Sequence, residues 1–192
     1  MRLATFRCVC APPLRMLAHN RYLENAGLSV DCLAAAQYTP SIPLLYGLSE
    51  ALAMLREEGF DNAIARHARF AAGTRAAVKA WGLELLCADP RWHSNSLTVV
   101  KAPVGVDTTT LVRTAYAKYN LSIGLGLSAV AGKVFRIGHL GDLNEVSLLG
   151  ALAGTEMALR DCGYTGFAPG AGVGAALEYF QKTSAVIPTR EI

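Results

Sequence analysis

The chain is predicted to fold as an α/β or α+β layer in which helices cover one small sheet. Two observations carry that expectation. Short β-branched runs at 97–101 and 133–138 alternate with longer runs of helical period at 41–58, 61–81 and 146–160. Glycine and proline punctuate the joins, at Gly59, Gly82, Pro90, Gly138, Gly163 and Pro169. With 192 residues and no internal repeat or low-complexity tract, the chain reads as one domain with an appendage, long enough to bury a sizeable core.

Composition excludes several functions. A net charge of +3, scattered along the chain, argues against a nucleic-acid surface. No apolar run approaches the roughly 20 residues that cross a bilayer. Cysteines 8, 10, 32, 87 and 162 form an odd set with no zinc spacing, so reduced thiols, a cytoplasmic location and no metal site are expected.

The first thirty residues stand apart. Arg2, Arg7, Arg15 and Arg21 all precede the first acid, Glu24. That bias is how organellar transit peptides begin, yet serine is missing until Ser29 and charge breaks any secretory core. The segment reads as a non-native start on a truncated frame.

From Ser41 a helical face gathers Leu44, Leu45, Leu48, Ala51, Leu52 and Leu55, with Glu50, Arg56 and Glu57 opposite. Pro40 and Pro43 stand at its start, and Gly59 stops it. A second helix is expected from near Asp61 to Trp81, with Ile64, Ala68, Ala71 and Val78 inward and His67 on its surface. Leu83–Leu86 and Leu97–Lys101 read as strands across an Asp89-Pro90 loop. Asp107 caps a helix over about 108–119. Leu121–Ile123 reads as a short strand, and Gly124-Leu125-Gly126 as a loop lacking the rest of any phosphate-loop fingerprint. Val146, Leu149, Ala153 and Met157 are the expected inner face of the long helix; a last helix spans 171–182 before a frayed tail.

The chain is organised around residues 133–145, KVFRIGHLGDLNE. Its first half is an apolar strand carrying one cation, Arg136, and ends at Gly138. Its second half places Asp142 three residues before Glu145, the spacing of a capping box. A guanidinium just before a glycine turn suits a carboxylate, which it can hold by two parallel hydrogen bonds. A structural ion pair is the other reading of the same arginine.

The stretch VFRIGHLGDLNEVSLLGAL, 134–152, resembles the C-terminal signature of class V pyridoxal-phosphate aminotransferases, in their serine–glyoxylate and alanine–glyoxylate branch. Residues 38–59, 65–85, 119–139 and 159–180 extend the resemblance in order. The resemblance implies the C-terminal domain of a fold-type I aminotransferase: a small, mostly antiparallel sheet covered by helices. It divides the chain into a poorly matching segment 1–30, an interdomain segment and long helix 31–60, a small domain 61–185 and a tail 186–192.

It also implies pyridoxal 5'-phosphate as cofactor, and transfer of an amino group from serine or alanine to glyoxylate. The partners implied are small amino acids and 2-oxo acids, with a homodimer or a missing large domain completing the enzyme. By the same resemblance Arg136 binds the substrate α-carboxylate, Thr39 reaches a cofactor phosphate of the neighbouring subunit, and Tyr38 shares that contact. Relatives carry a tyrosine three or four residues before the threonine, where this chain has Ala35 and Ala36. For Thr39 an ordinary capping hydroxyl is the alternative. The family's Schiff-base lysine lies upstream, and Lys79, Lys101, Lys118, Lys133 and Lys182 are all in segments matching the small domain. No catalytic residue is therefore assigned, and the chain alone is expected to be inactive. A non-catalytic dimerisation or interaction module derived from such a small domain is the rival reading.

Overall fold

The computed structural model describes residues 2–6, 29–33 and 41–184. The chain divides into two compact units, Met1–Ala63 and Ile64–Ile192.

The first unit holds a parallel pair, β1 (Arg2–Phe6) and β2 (Ser29–Leu33), and helix α1 (Ile42–Glu58). Proline in the first turn of α1 is tolerated because no intrahelical partner awaits its missing N–H. Gly59, at φ +85°, ends the helix and donates its N–H to Leu55. On the expected apolar face of α1, Leu44 is 73% exposed and Leu48 is also open, whereas Leu45, Leu52 and Leu55 are half-buried.

Helix α2 (Phe60–Ala80) begins at once after Gly59 and leads into the second unit. There it is followed by β3 (Leu97–Lys101), α3 (Thr108–Tyr119), β4 (Gly124–Leu125), β5 (Val134–Gly138), α4 (Glu145–Asp161) and α5 (Ala171–Lys182). The sheet is antiparallel with β5 central, in the order β3-β5-β4. Asp107 caps α3 by accepting the Thr110 N–H, as its position predicted, and Asn120 ends the helix in the left-handed conformation.

Successive strand residues face opposite sides. Val100 pairs with Phe135 and Thr98 with Ile137 on one face. That face meets a core of Phe70, Trp81, Leu111, Leu148, Leu152, Leu159 and Phe180.

Several local expectations are corrected. Leu83–Leu86 is not a strand; it makes only an isolated bridge, Leu85 to Val100, at the edge of β3. The short strand falls on Gly124–Leu125 rather than 121–123, because that is where the chain meets β5 in register. In α2, Ile64 is exposed while Phe70, Ala71, Ala77 and Val78 are buried. In α4 the buried face is Leu148, Leu152, Thr155, Glu156 and Leu159, whereas Val146 is 78% exposed and Met157 is open. Apolar spacing allowed two overlapping stripes on this helix, and packing chose the one containing an acid.

That acid, Glu156, is buried because three donors meet it. Its carboxylate accepts from Trp81 Nε1 at 2.8 Å, from the Gly172 N–H at 3.0 Å and from the Gly170 N–H. Gly170 begins α5 with no side chain to cap it, so the carboxylate takes over the orphan amides and faces the positive end of the helix. Gly172 has no alternative: a Cβ there would lie 2.1 Å from Trp81 Nε1. Glu156→Ala leaves these donors unsatisfied and should cost about 3 kcal/mol. In urea unfolding the midpoint should drop with the slope unchanged; a loss under about 0.5 kcal/mol would contradict the role.

Candidate carboxylate-binding site

Arg136 occupies the centre of β5, on the face of the sheet opposite the core. Its cross-strand neighbours are Val99 on β3 and Gly124 on β4. The residues on either side of it in the strand, Phe135 and Ile137, are fully buried, whereas Arg136 is half-buried. The strand is therefore locked by its core face while the cation stands on the other. Among the described residues Arg136 makes no ion pair, and its Nε is buried without a hydrogen-bond partner. A guanidinium so placed retains its capacity for an external anion. The structural ion pair that the sequence left open is absent among the described residues.

The turn after β5 is held from α2. Arg66 donates to the carbonyls of Gly141 and Leu143 at 2.9 and 3.2 Å. His67 Nε2 accepts the Gly141 N–H at 3.0 Å, so this histidine braces the turn and is not a bare surface residue. Arg69, almost fully buried, pairs with Glu145 and donates to the Phe180 carbonyl and the Thr183 hydroxyl. Partial burial pushes the Glu145 carboxyl up. The Arg69 hydrogen bond, its own helix-start N–H and the charges of Arg69 and Arg66 outweigh that, leaving its pKa below the usual value. The cap of α4 is not Asp142 but Asn144, whose side chain accepts the Ser147 N–H at 2.9 Å. Glu145 is thereby the first helical residue, free to meet Arg69 instead of closing a capping box.

His139, three residues beyond Arg136, is wholly buried and structural. Nδ1 lies 3.1 Å from the Asn95 carbonyl, which can only accept, so Nδ1 carries the proton and Nε2 accepts from the Thr98 hydroxyl at 2.9 Å. Burial, opposed by the Asn95 bond and aided by the charges of Arg75 and His67, lowers its pKa to about 4.

Thr39 and Tyr38 lie outside the described residues. The five lysines are all exposed. Lys101, Lys118 and Lys182 pair with Glu84, Asp161 and Glu178, and Lys133 donates to the Ala129 carbonyl. None sits in the desolvated setting that activates a Schiff-base lysine. Among the described residues no group of three or more histidines, cysteines or acids could hold a metal, and no helix is long and apolar enough to cross a membrane.

The site is thus a three-stranded antiparallel sheet backed by helices, with Arg136 on the face opposite the core. No family model matches the sequence. Curated relatives do. The chain is 56% identical over 145 residues to serine–glyoxylate aminotransferase of Methylorubrum extorquens, covering 76% of this chain and 36% of that protein. It is 55% identical over 153 residues to the Arabidopsis thaliana enzyme of the same name, covering 80% and 38%. Among solved structures it superposes on pyridoxamine–pyruvate aminotransferase from Mesorhizobium loti with a TM-score of 0.72 and 33% identity, covering 78% of this chain and 38% of that one. Over the matched span the chain belongs to the class V aminotransferase family. Within the family it is similar to the serine–glyoxylate aminotransferases, spanning a little over a third of their length.

The buried His139 generates a pH prediction. Its pKa is depressed in the fold relative to about 6.5 when unfolded, so the unfolded chain binds the proton more tightly. The histidine's contribution is complete above pH 6.5 and is lost as pH falls toward 4. Unfolding free energies measured across that window should decline by up to about 3 kcal/mol, and His139→Gln should flatten the slope.

Proposed function

We propose that this chain supplies the carboxylate-anchoring part of a pyridoxal-phosphate-dependent aminotransferase that moves an amino group from serine, or alanine, to glyoxylate. The observation that carries the reading is Arg136: a cation on a rigid central strand, with a buried Nε and no partner among the described residues. Its planar fork suits the α-carboxylate common to the amino donor and the 2-oxo acceptor, so one group can orient both substrates of the exchange. High identity to two serine–glyoxylate aminotransferases supports serine and glyoxylate as the pair.

When bound, pyridoxal phosphate supplies the electron sink for such a transfer. The described residues do not fit that cofactor: every lysine is exposed, and four are committed to other oxygens. The chain's own contribution is therefore binding and orientation, with cofactor attachment supplied by a large domain. Thr39 and Tyr38 are proposed to contact the cofactor phosphate from a neighbouring subunit. The exposed leucines of α1 support a covering partner, either that large domain or a second copy in a homodimer.

Two measurements test the reading. Adding pyridoxal phosphate and borohydride to the chain should label no single lysine stoichiometrically; one uniquely trapped lysine would show that the chain holds its own catalytic centre. Residues 41–184 can also replace the matching span of the Methylorubrum extorquens enzyme. In that chimaera Arg136→Ala should lower kcat/KM for serine by roughly 30- to 1,000-fold, equivalent to about 2–4 kcal/mol, with Arg136→Lys recovering part of it. Unchanged serine turnover would remove the carboxylate role.

A further inference from the structure

Position 124 faces Arg136 directly across the β4–β5 pair. Side chains of directly paired residues project from the same face of a sheet, with Cβ atoms ordinarily about 4.5–5.5 Å apart. Here the paired residue is glycine, and the arginine fills its place. A Cβ built on Gly124 would stand 3.0 Å from Arg136 Nε, 3.2 Å from its Cβ and 3.3 Å from Nη2. The guanidinium thus lies back over β4, in the volume a side chain at 124 would occupy. Gly124 does not have a positive φ, so backbone conformation does not require glycine there. Close approach of the arginine is what crowds a side chain there.

We infer that Gly124 is a positioning residue: its missing side chain is the slot that sets the direction in which the Arg136 guanidinium meets a carboxylate. The inference rests on the reading of Arg136 as the carboxylate clamp. An alanine methyl would crowd the Cβ, Nε and Nη2 of Arg136 at once, at 3.0–3.3 Å, so the arginine must give by a few tenths of an ångström. That shift turns the guanidinium out of the direction in which both carboxylate oxygens are held together. Two paired hydrogen bonds then become one or none, and specificity for a planar anion falls with affinity. Val99, on the other flank of Arg136, is partly exposed and leaves the sheet unaltered as a control position.

The test uses the full chain and the Nε–Hε NMR signal of Arg136, assigned by its loss in Arg136→Lys. Titration with L-serine, and separately with glyoxylate, should move that signal saturably in the unaltered chain. Gly124→Ala should raise the apparent Kd at least tenfold, while Val99→Ala changes it less than threefold. Wild-type affinity in Gly124→Ala would overturn the inference and leave the Arg136 reading standing. No shift in the unaltered chain would overturn the clamp itself, and this inference with it. Thermal unfolding covers a variant that folds poorly. Gly124→Ala should lower Tm more in the Arg136 background than in Arg136→Ala, which removes Nε and Nη2 and leaves only the Cβ against the slot; an equal loss in both backgrounds would overturn the inference.

Discussion

The structure depends on one antiparallel register. Pairing Val99, Arg136 and Gly124 across three strands puts a permanent cation in the middle of a sheet whose other face is committed to the core. Because side chains alternate along a strand, the burial of Phe135 and Ile137 dictates that Arg136 faces the other way. A slip of one residue would drive the guanidinium into the cluster around Phe70 and Leu152, at the cost of desolvating an unpaired charge. The core thus enforces the orientation of Arg136 without touching its guanidinium.

The same logic governs the surrounding charges. Arg66 and Arg69 leave α2 in neighbouring directions and are used up on the turn and helix that follow β5: carbonyls of Gly141 and Leu143, the carboxylate of Glu145, the end of α5. Glu156 is consumed by Trp81 and the start of α5. These buried charges are partnered, so they rigidify. Arg136 differs in having no such partner among the described residues, and its proposed binding role rests on that contrast.

Much of this was legible in the chain itself. Helix α3 and its Asp107 cap, the long α2, the β5 strand and the last helix all announce themselves by period and terminal residues. The less legible features depend on partners distant in sequence. The α4 cap is Asn144 rather than Asp142, and Glu145, at the first helical position, pairs with Arg69, 76 residues away. The inner stripe of α4 shifted because Glu156 finds an indole 75 residues away, and no apolar pattern advertises a buried acid. The Leu83–Leu86 run has strand composition but only one bridge to an edge.

Composition and spacing alone determined the helices, the β3 and β5 strands, the lack of any apolar run near spanning length and the presence of one arginine in an otherwise apolar strand, since these follow from local preferences and from counting. They could not decide whether that arginine was already neutralised. Nor could they show that a glycine read as part of a loop is the strand partner whose empty side makes room for the guanidinium. Both depend on which groups meet through space, and only the folded register brings residues 99, 124 and 136 side by side.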